Sequence, residues 1–190
     1  MKRITIYLII ISASVVSTIS KATAQDIKES DQRLIFSARA KLYPGGLEIS
    51  FEHSLSERFS LRTALSNDFR GKGDYTYHNR EVSLSMLSNS RNYPYGFNIG
   101  PYIKLKDSNY SYNHPIPESM LAASSIFYFF GAGVTTEYRQ KIGSRFMVSP
   151  FARFGINKVL LRRDYGPGEP FFTDSFETDA VAGFAVHFIF

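Results

Sequence analysis

The stretch Ala180-Val181-Ala182-Gly183-Phe184-Ala185-Val186-His187-Phe188-Ile189-Phe190 decides how the chain is read. Taken in steps of two from its end, it gives Phe190, Phe188, Val186, Phe184, Ala182 and Ala180, an unbroken apolar row. Successive side chains of a β-strand point to opposite faces, so this row is one face of a strand. Ile189, His187, Ala185, Gly183 and Val181 make the other face, smaller and more mixed.

The same alternation recurs upstream. Leu34, Phe36, Ala38, Ala40 and Leu42 alternate with Ile35, Ser37, Arg39 and Lys41; Leu47, Ile49, Phe51, His53 and Leu55 alternate with Glu48, Ser50, Glu52 and Ser54. Between these two strands Tyr43-Pro44-Gly45-Gly46 is a turn, because Pro fixes one dihedral and glycine permits positive φ. Ser56-Glu57-Arg58 returns the chain to a third strand carrying Phe59, Leu61, Thr63, Leu65 and Phe69. Val82, Leu84 and Met86 mark a fourth, and Phe97, Ile99, Ile103 and Leu105 a fifth after a turn at Asn92–Tyr95. The sixth, about Ser125–Tyr138, sets Ile126, Tyr128, Phe130, Ala132 and Val134 against Phe127, Phe129, Gly131, Gly133, Thr135 and Glu137. Beyond a turn at Lys141–Ser144, Phe146, Val148, Ala152, Phe154 and Ile156 carry the seventh.

Arg70–Asn79, Lys106–Met120 and Arg162–Thr178 read as long polar loops. Eight strands with alternating short and long connections predict an all-β, antiparallel up-and-down barrel with both termini at one end. Ile99 to Leu105 and Val148 to Phe154 echo each other residue type for residue type. Each echo carries a proline within its strand, Pro101 and Pro150, where a ladder donor is lost and the alternation offers no account of it.

Three observations turn the apolar face outward into lipid. Gly100, Gly131, Gly133, Gly155 and Gly183 all lie on the mixed face, where an eight-stranded barrel has room only for filled, tightly fitted side chains. The mixed face also holds Arg39, Lys41, Arg62, Lys104 and Arg153, with Glu48, Glu52 and Glu137 as partners. Aromatics such as Phe59, Tyr138, Phe146 and Phe190 sit near strand ends, where the girdles of a transmembrane barrel belong. An isolated buried charge is very costly, so the interior set Arg39, Glu48, Glu52, Arg62, Lys104, Glu137 and Arg153 is expected to pair. Antiparallel register predicts an Arg39–Glu–Arg62 network across the first three strands. Phe127, Phe129, Phe151 and Tyr102 fill the remaining lumen, which argues against a general pore.

The other end of the chain reads as an export signal. Met1-Lys2-Arg3 is basic, Ile4–Ile19 is dominated by apolar residues, and Ala22-Thr23-Ala24 offers a small-residue cleavage site. Residues 1–24 are therefore expected to be removed, leaving 25–190 as one barrel domain. The formal charge of +5 falls to +2 with them, because Lys2, Arg3 and Lys21 leave and no acid does. Nucleic acid is thus not an expected partner. The absence of cysteine excludes disulfides and thiol catalysis.

No catalytic, cofactor or metal motif stands out. His53 and Ser54 are adjacent on a strand and so point to opposite faces; His78 and His114 fall in loops, and His187 faces inward near one end. Asp164, Glu169, Asp174, Glu177 and Asp179 form an acidic loop, read as solvated or as attracting divalent cations.

The terminal apolar strand with its final Phe, together with the alternation, resembles small eight-stranded outer-membrane β-barrels of the OmpX and OmpA-transmembrane-domain layout. It also resembles small barrel proteins of Bacteroidota. The resemblance implies residence in the cell outer membrane, among outer-membrane lipid and lipopolysaccharide. It implies that Phe190 and Phe188 act as a signal to the barrel-assembly machinery, and that long loops meet a protein or ligand outside. The expected role is structural or surface-interacting and not enzymatic. The alternatives are a lipid-modifying outer-membrane enzyme and a soluble secreted barrel that binds a small apolar ligand.

Overall fold

The computed structural model describes residues 33–43, 45–72, 75–89, 94–112, 124–165 and 175–190. The expected signal, residues 1–24, and the expected domain start at 25 lie outside the described residues. Eight strands run β1 (Leu34–Tyr43), β2 (Gly46–Ser54), β3 (Phe59–Lys72), β4 (Tyr75–Asn89), β5 (Gly96–Tyr112), β6 (Ser124–Lys141), β7 (Phe146–Tyr165) and β8 (Phe176–Ile189). Each pairs antiparallel with the next, and β8 pairs back onto β1 to close the barrel.

Within the stretch Ala180–Phe190, Ala182–Phe190 forms the closing seam. Phe36 lies opposite Phe188, Ala38 opposite Val186 and Ala40 opposite Phe184. At the end of the seam the Ile189 amide donates to the Arg145 carbonyl and the Phe190 amide to the Leu34 carbonyl, both at 3.0 Å. Phe188 stacks edge-on between Phe146 and Phe190, at 5.1 and 4.7 Å between ring centroids. This end, with the returns after β2, β4 and β6, is the turn end of the barrel.

Alternation sorts the side chains as parity requires. Ile49, Phe51, Ile103, Phe154, Phe184 and Val186 are exposed on the outside, Phe154 by 67%. Ser37, Ser50, Glu52, Arg62, Asn98 and Ser149 are buried inside. Phe59, Phe97, Tyr138, Phe146 and Phe190 form an exposed aromatic rim at the turn end. A water-soluble barrel would invert this sorting, because burying apolar surface is what drives folding in water.

Two local features depend on glycine. Gly45 and Gly46 have φ of +104° and +138°, so the short return from β1 to β2 needs glycine at both positions. Gly133 and Gly155 face each other across β6 and β7, under the Tyr102 ring. A Cβ on Gly133 would lie 2.6 Å from the Gly155 Cα and 2.8 Å from Tyr102 Cε1.

The strands extend further than their polarity suggests, which corrects the reading of three long loops. β3 runs to Lys72 and β4 starts at Tyr75, so most of Arg70–Asn79 is a hairpin. Lys106–Tyr112 continues β5, Arg162–Tyr165 continues β7, and Phe176–Thr178 begins β8. Above the apolar belt both strand faces are polar, so the alternation ends while the hydrogen-bond ladder continues.

Both prolines interrupt a ladder without shifting it. β4 and β5 pair at Ser85–Tyr102 and again at Ser88–Ile99, leaving Gly100 and Pro101 unmatched on that side. β6 and β7 pair at Glu137–Phe151 and again at Gln140–Val148, leaving Ser149 and Pro150 unmatched. Each proline keeps its partner on the other side, Val134 for Pro101 and Phe184 for Pro150. The two echoed segments therefore make the same local structure: a two-residue gap against the preceding strand, with the register kept. A true register shift occurs higher up, where Leu160 is the extra residue between Phe129–Val159 and Tyr128–Leu161.

Candidate functional site: the charged lumen and the loop end

The lumen is filled by charge. Arg39, Lys41, Arg62, Lys104, Arg139 and Arg153 face Glu48, Glu52, Asp68, Glu81, Glu137 and Asp179, all of them buried. Lys106 is buried as well and pairs with the partly exposed Glu177, so these charges balance, seven cations against seven carboxylates, when every member is ionised.

Toward the turn end Glu137 of β6 is the hub. It receives Arg62 Nη2 at 2.5 Å and is also paired to Arg39 and Arg139. Glu52 of β2 takes Arg62 at 2.7 Å and Arg139 at 2.5 Å. The acid that joins Arg39 to Arg62 is therefore Glu137, reaching across the lumen. Glu48 sits opposite Arg39 and Glu52 opposite Arg62 in register, and each pairs with its own neighbour, Arg39–Glu48 at 3.1 Å. Beneath this layer His187 accepts or donates between two hydroxyls, with Ser37 Oγ and Ser149 Oγ each 2.7 Å from a ring nitrogen.

A second layer lies toward the loop end. Arg153 of β7 reaches Glu81 of β4 at 2.6 Å, Asp179 of β8 at 3.3 Å and Glu48 of β2 at 3.7 Å. Lys104 bridges Asp179 at 2.8 Å and Glu81 at 3.1 Å. Lys41 lies 3.2 Å from Asp68, and the Tyr102 hydroxyl donates to Asp179. Two cations cover rings: Arg39 lies 4.6 Å from the Phe151 centroid and Arg153 5.1 Å from that of Tyr102. Glu48 contacts both layers, which makes the network continuous through the lumen.

Most of these contacts join strands that are not neighbours in the sheet. Their net energy is modest, since desolvation consumes much of the Coulomb attraction. Their consequence is geometric: β1, β2, β3 and β6 are tied at one level, and β2, β4, β5, β7 and β8 at another. Such a lumen is crossed by ion pairs between opposite walls. A planar bilayer containing the protein should therefore show no steady, large channels; openings of porin size would require a lumen different from this one.

The interior set read from the sequence, Arg39, Glu48, Glu52, Arg62, Lys104, Glu137 and Arg153, lies in this network. Sequence reasoning missed Arg139, because it ended the sixth strand at Tyr138 although Arg139 shares the parity of Glu137. It also missed Asp68 and Glu81, which continue the inward rows of Arg62 and Ser83. Asp179, read as a loop acid, is a buried member of β8, and Glu177 pairs with Lys106 at 2.8 Å. Asp164 lies in β7 and contacts Arg162. Glu169, Asp174 and His114 lie outside the described residues. His78 belongs to β4, beside Asn67, and not to a loop.

Above the charged layers, Tyr77, Tyr110, Phe127 and Phe129 form a run of ring contacts, from 5.6 to 5.9 Å between centroids. Lys106 lies over Phe129 at 4.8 Å and Arg162 over Phe127 at 5.7 Å. This aromatic layer continues the filling of the lumen toward the loop end.

No family model matches the sequence, and no curated protein does. Among solved structures, a major outer membrane protein from Thermus thermophilus is similar at 12% identity, covering 83% of this chain and 99% of that one, with a TM-score of 0.50. Neisserial surface protein A is similar at 9% identity, covering 82% and 92%, with a TM-score of 0.49. The N-terminal β-barrel domain of Pseudomonas aeruginosa OprF is similar at 15% identity, covering 83% and 97%, with a TM-score of 0.42. At such identities the likeness is one of fold alone. The chain has the fold of the small outer-membrane proteins: a closed, eight-stranded antiparallel β-barrel, apolar outside and ion-paired within.

Proposed function

We propose that the protein is a small outer-membrane barrel whose role is structural or surface-interacting, exerted through its loop end, and that it is not a general pore. The observation that carries this reading is the contrast between the two ends of the lumen wall. At the turn end β2 passes to β3 through Leu55–Arg58 and β6 to β7 through Ile142–Arg145, next to a dense layer of ion pairs, whereas β3 to β8 continue well past the short hairpin of β1 and β2. Elements that project from a rigid scaffold are the usual carriers of recognition.

A catalytic role has less support. Among the described residues, the histidine in contact with serine hydroxyls is His187, and both of its ring nitrogens are engaged inside the closed lumen. Phe190 and Phe188 are proposed as the assembly signal, and lipid and lipopolysaccharide as the surroundings of the apolar belt.

Protein extracted from outer membranes should migrate at different positions before and after boiling in SDS, because a closed ladder has no edge from which to unravel. The same position in both lanes would count against the barrel. For function, variants lacking residues 113–123 or 166–174 should assemble normally yet lose whatever phenotype the intact gene confers. Unchanged phenotypes in both would sink the display role and leave a purely structural one.

A further inference from the structure

Two cations stand on the outer face of β7 with no acid beside them. Lys158 has the outward parity of Phe154 and Ile156, and Arg163 lies beyond the extra residue Leu160, opposite Ile126 of β6. Both are exposed. Lys158 is framed by apolar side chains: Phe130 is its partner on β6 and Phe176 its partner on β8, with Ile156 below it and Leu160 beyond. All four are exposed, Ile156 by 60% and Phe176 by 58%. Among the described residues, the outward positions of β6, β7 and β8 hold no carboxylate. Arg80 of β4 is the contrast. It stands where the apolar row Met86, Leu84 and Val82 ends, and its partner across the ladder, Asp107, is in contact with it.

Depth follows from strand geometry. Phe146, in the aromatic rim of the turn end, lies twelve residues before Lys158 on the same strand. That length is about 40 Å, and a strand tilted by about 40° climbs about 30 Å along it. The apolar band of a transmembrane barrel is about 25 Å tall, so Lys158 stands just above the hydrocarbon, at the level of the lipid headgroups. The counter-ion that the protein omits is there supplied by lipid.

We propose that Lys158, assisted by Arg163, binds the phosphate of an anionic lipid in the leaflet at the loop end. The proposal rests on the outer-membrane reading above and names the headgroup chemistry that the β6–β8 face selects. The ammonium donates to a phosphate oxygen, Phe130 and Phe176 keep water away on either side, and the acyl chains descend over Ile156 and Phe154. A zwitterionic headgroup carries its own cation beside its phosphate and gains less from the contact.

The test uses the barrel in phosphatidylcholine vesicles, with closure verified on unboiled gels and Phe154→Trp as the reporter below Lys158. Phosphatidic acid brominated along its acyl chains, added as a minor component, should quench this tryptophan about fivefold more effectively than equally brominated phosphatidylcholine. Lys158→Gln should remove most of that preference, Lys158→Arg should keep it, and Arg163→Gln should reduce it. Arg80→Gln should leave it unchanged, and a reporter at Phe51→Trp on β2 should show none. Equal quenching by the two lipids, or an undiminished preference in Lys158→Gln, overturns the proposal; the barrel reading, which the gel checks separately, would stand. Loss of the preference in millimolar inorganic phosphate at constant ionic strength would mean a site for free anions and would overturn the assignment to lipid.

Discussion

Replacing Glu137 with alanine should lower the stability of the barrel by about 3–5 kcal/mol, the usual cost of stranding buried partners of an ion pair. The reason is specific to this carboxylate. Glu137 contacts Arg39, Arg62 and Arg139, and its removal leaves three buried guanidiniums with Glu48 and Glu52 as the remaining acids of that layer. Asp164→Ala is the matched control. Its pair with Arg162 is partly exposed on both sides, and such pairs are worth about 0–1 kcal/mol. Urea unfolding in lipid vesicles, followed by the gel shift between folded and unfolded forms, measures both. Equal losses in the two variants would mean that water screens the lumen as well as it does the rim.

Gly133→Val should impair assembly at least as severely. The new side chain would have to enter the space between the Gly155 backbone and the Tyr102 ring, where even a Cβ falls 2.6 and 2.8 Å from its neighbours. Overpacking costs about 1–3 kcal/mol where side chains can move aside. Here the obstacle is partly backbone, so the β6–β7 ladder itself must shift, and the yield of closed barrel should collapse. Gly143 lies in a turn, and a Cβ there would meet nothing within 4 Å, so Gly143→Ala should change stability by no more than about 0.5 kcal/mol. Comparable yields of Gly133→Val and wild type would mean that the lumen is looser than its packing implies.

The parts of this molecule that the sequence displays are those where membrane and lumen differ. Along β2, Leu47, Ile49 and Phe51 against Glu48, Ser50 and Glu52 fix the strand, its two faces and its inward charges at once. The strand ends are obscured for the opposite reason. In Asn79-Arg80-Glu81 or Glu177-Thr178-Asp179 both faces are polar, and parity is invisible although the ladder continues. Arg139 was hidden by that effect, one residue beyond the last aromatic of its strand. Cross-lumen partners are hidden more deeply. Register pairs Arg39 with Glu48 and Arg62 with Glu52, but which charge reaches across the barrel depends on tilt and side-chain length, which no local pattern encodes. The prolines show the same limit: alternation marks Pro101 and Pro150 as anomalies, and the ladder then absorbs each as a two-residue gap.

The central claim is that the apolar face meets lipid and the charged face is sealed within. The chain contains no tryptophan, so one introduced residue is a clean reporter. Single variants Phe51→Trp, Phe154→Trp and Phe184→Trp, each at an exposed position on the outer face, are compared with Tyr102→Trp and Phe151→Trp, each buried in the lumen. In vesicles of lipids brominated along their acyl chains, the first three should be strongly quenched and the last two nearly unquenched. Strong quenching of the lumen pair with little at the outer positions would invert the orientation and contradict the membrane-spanning barrel.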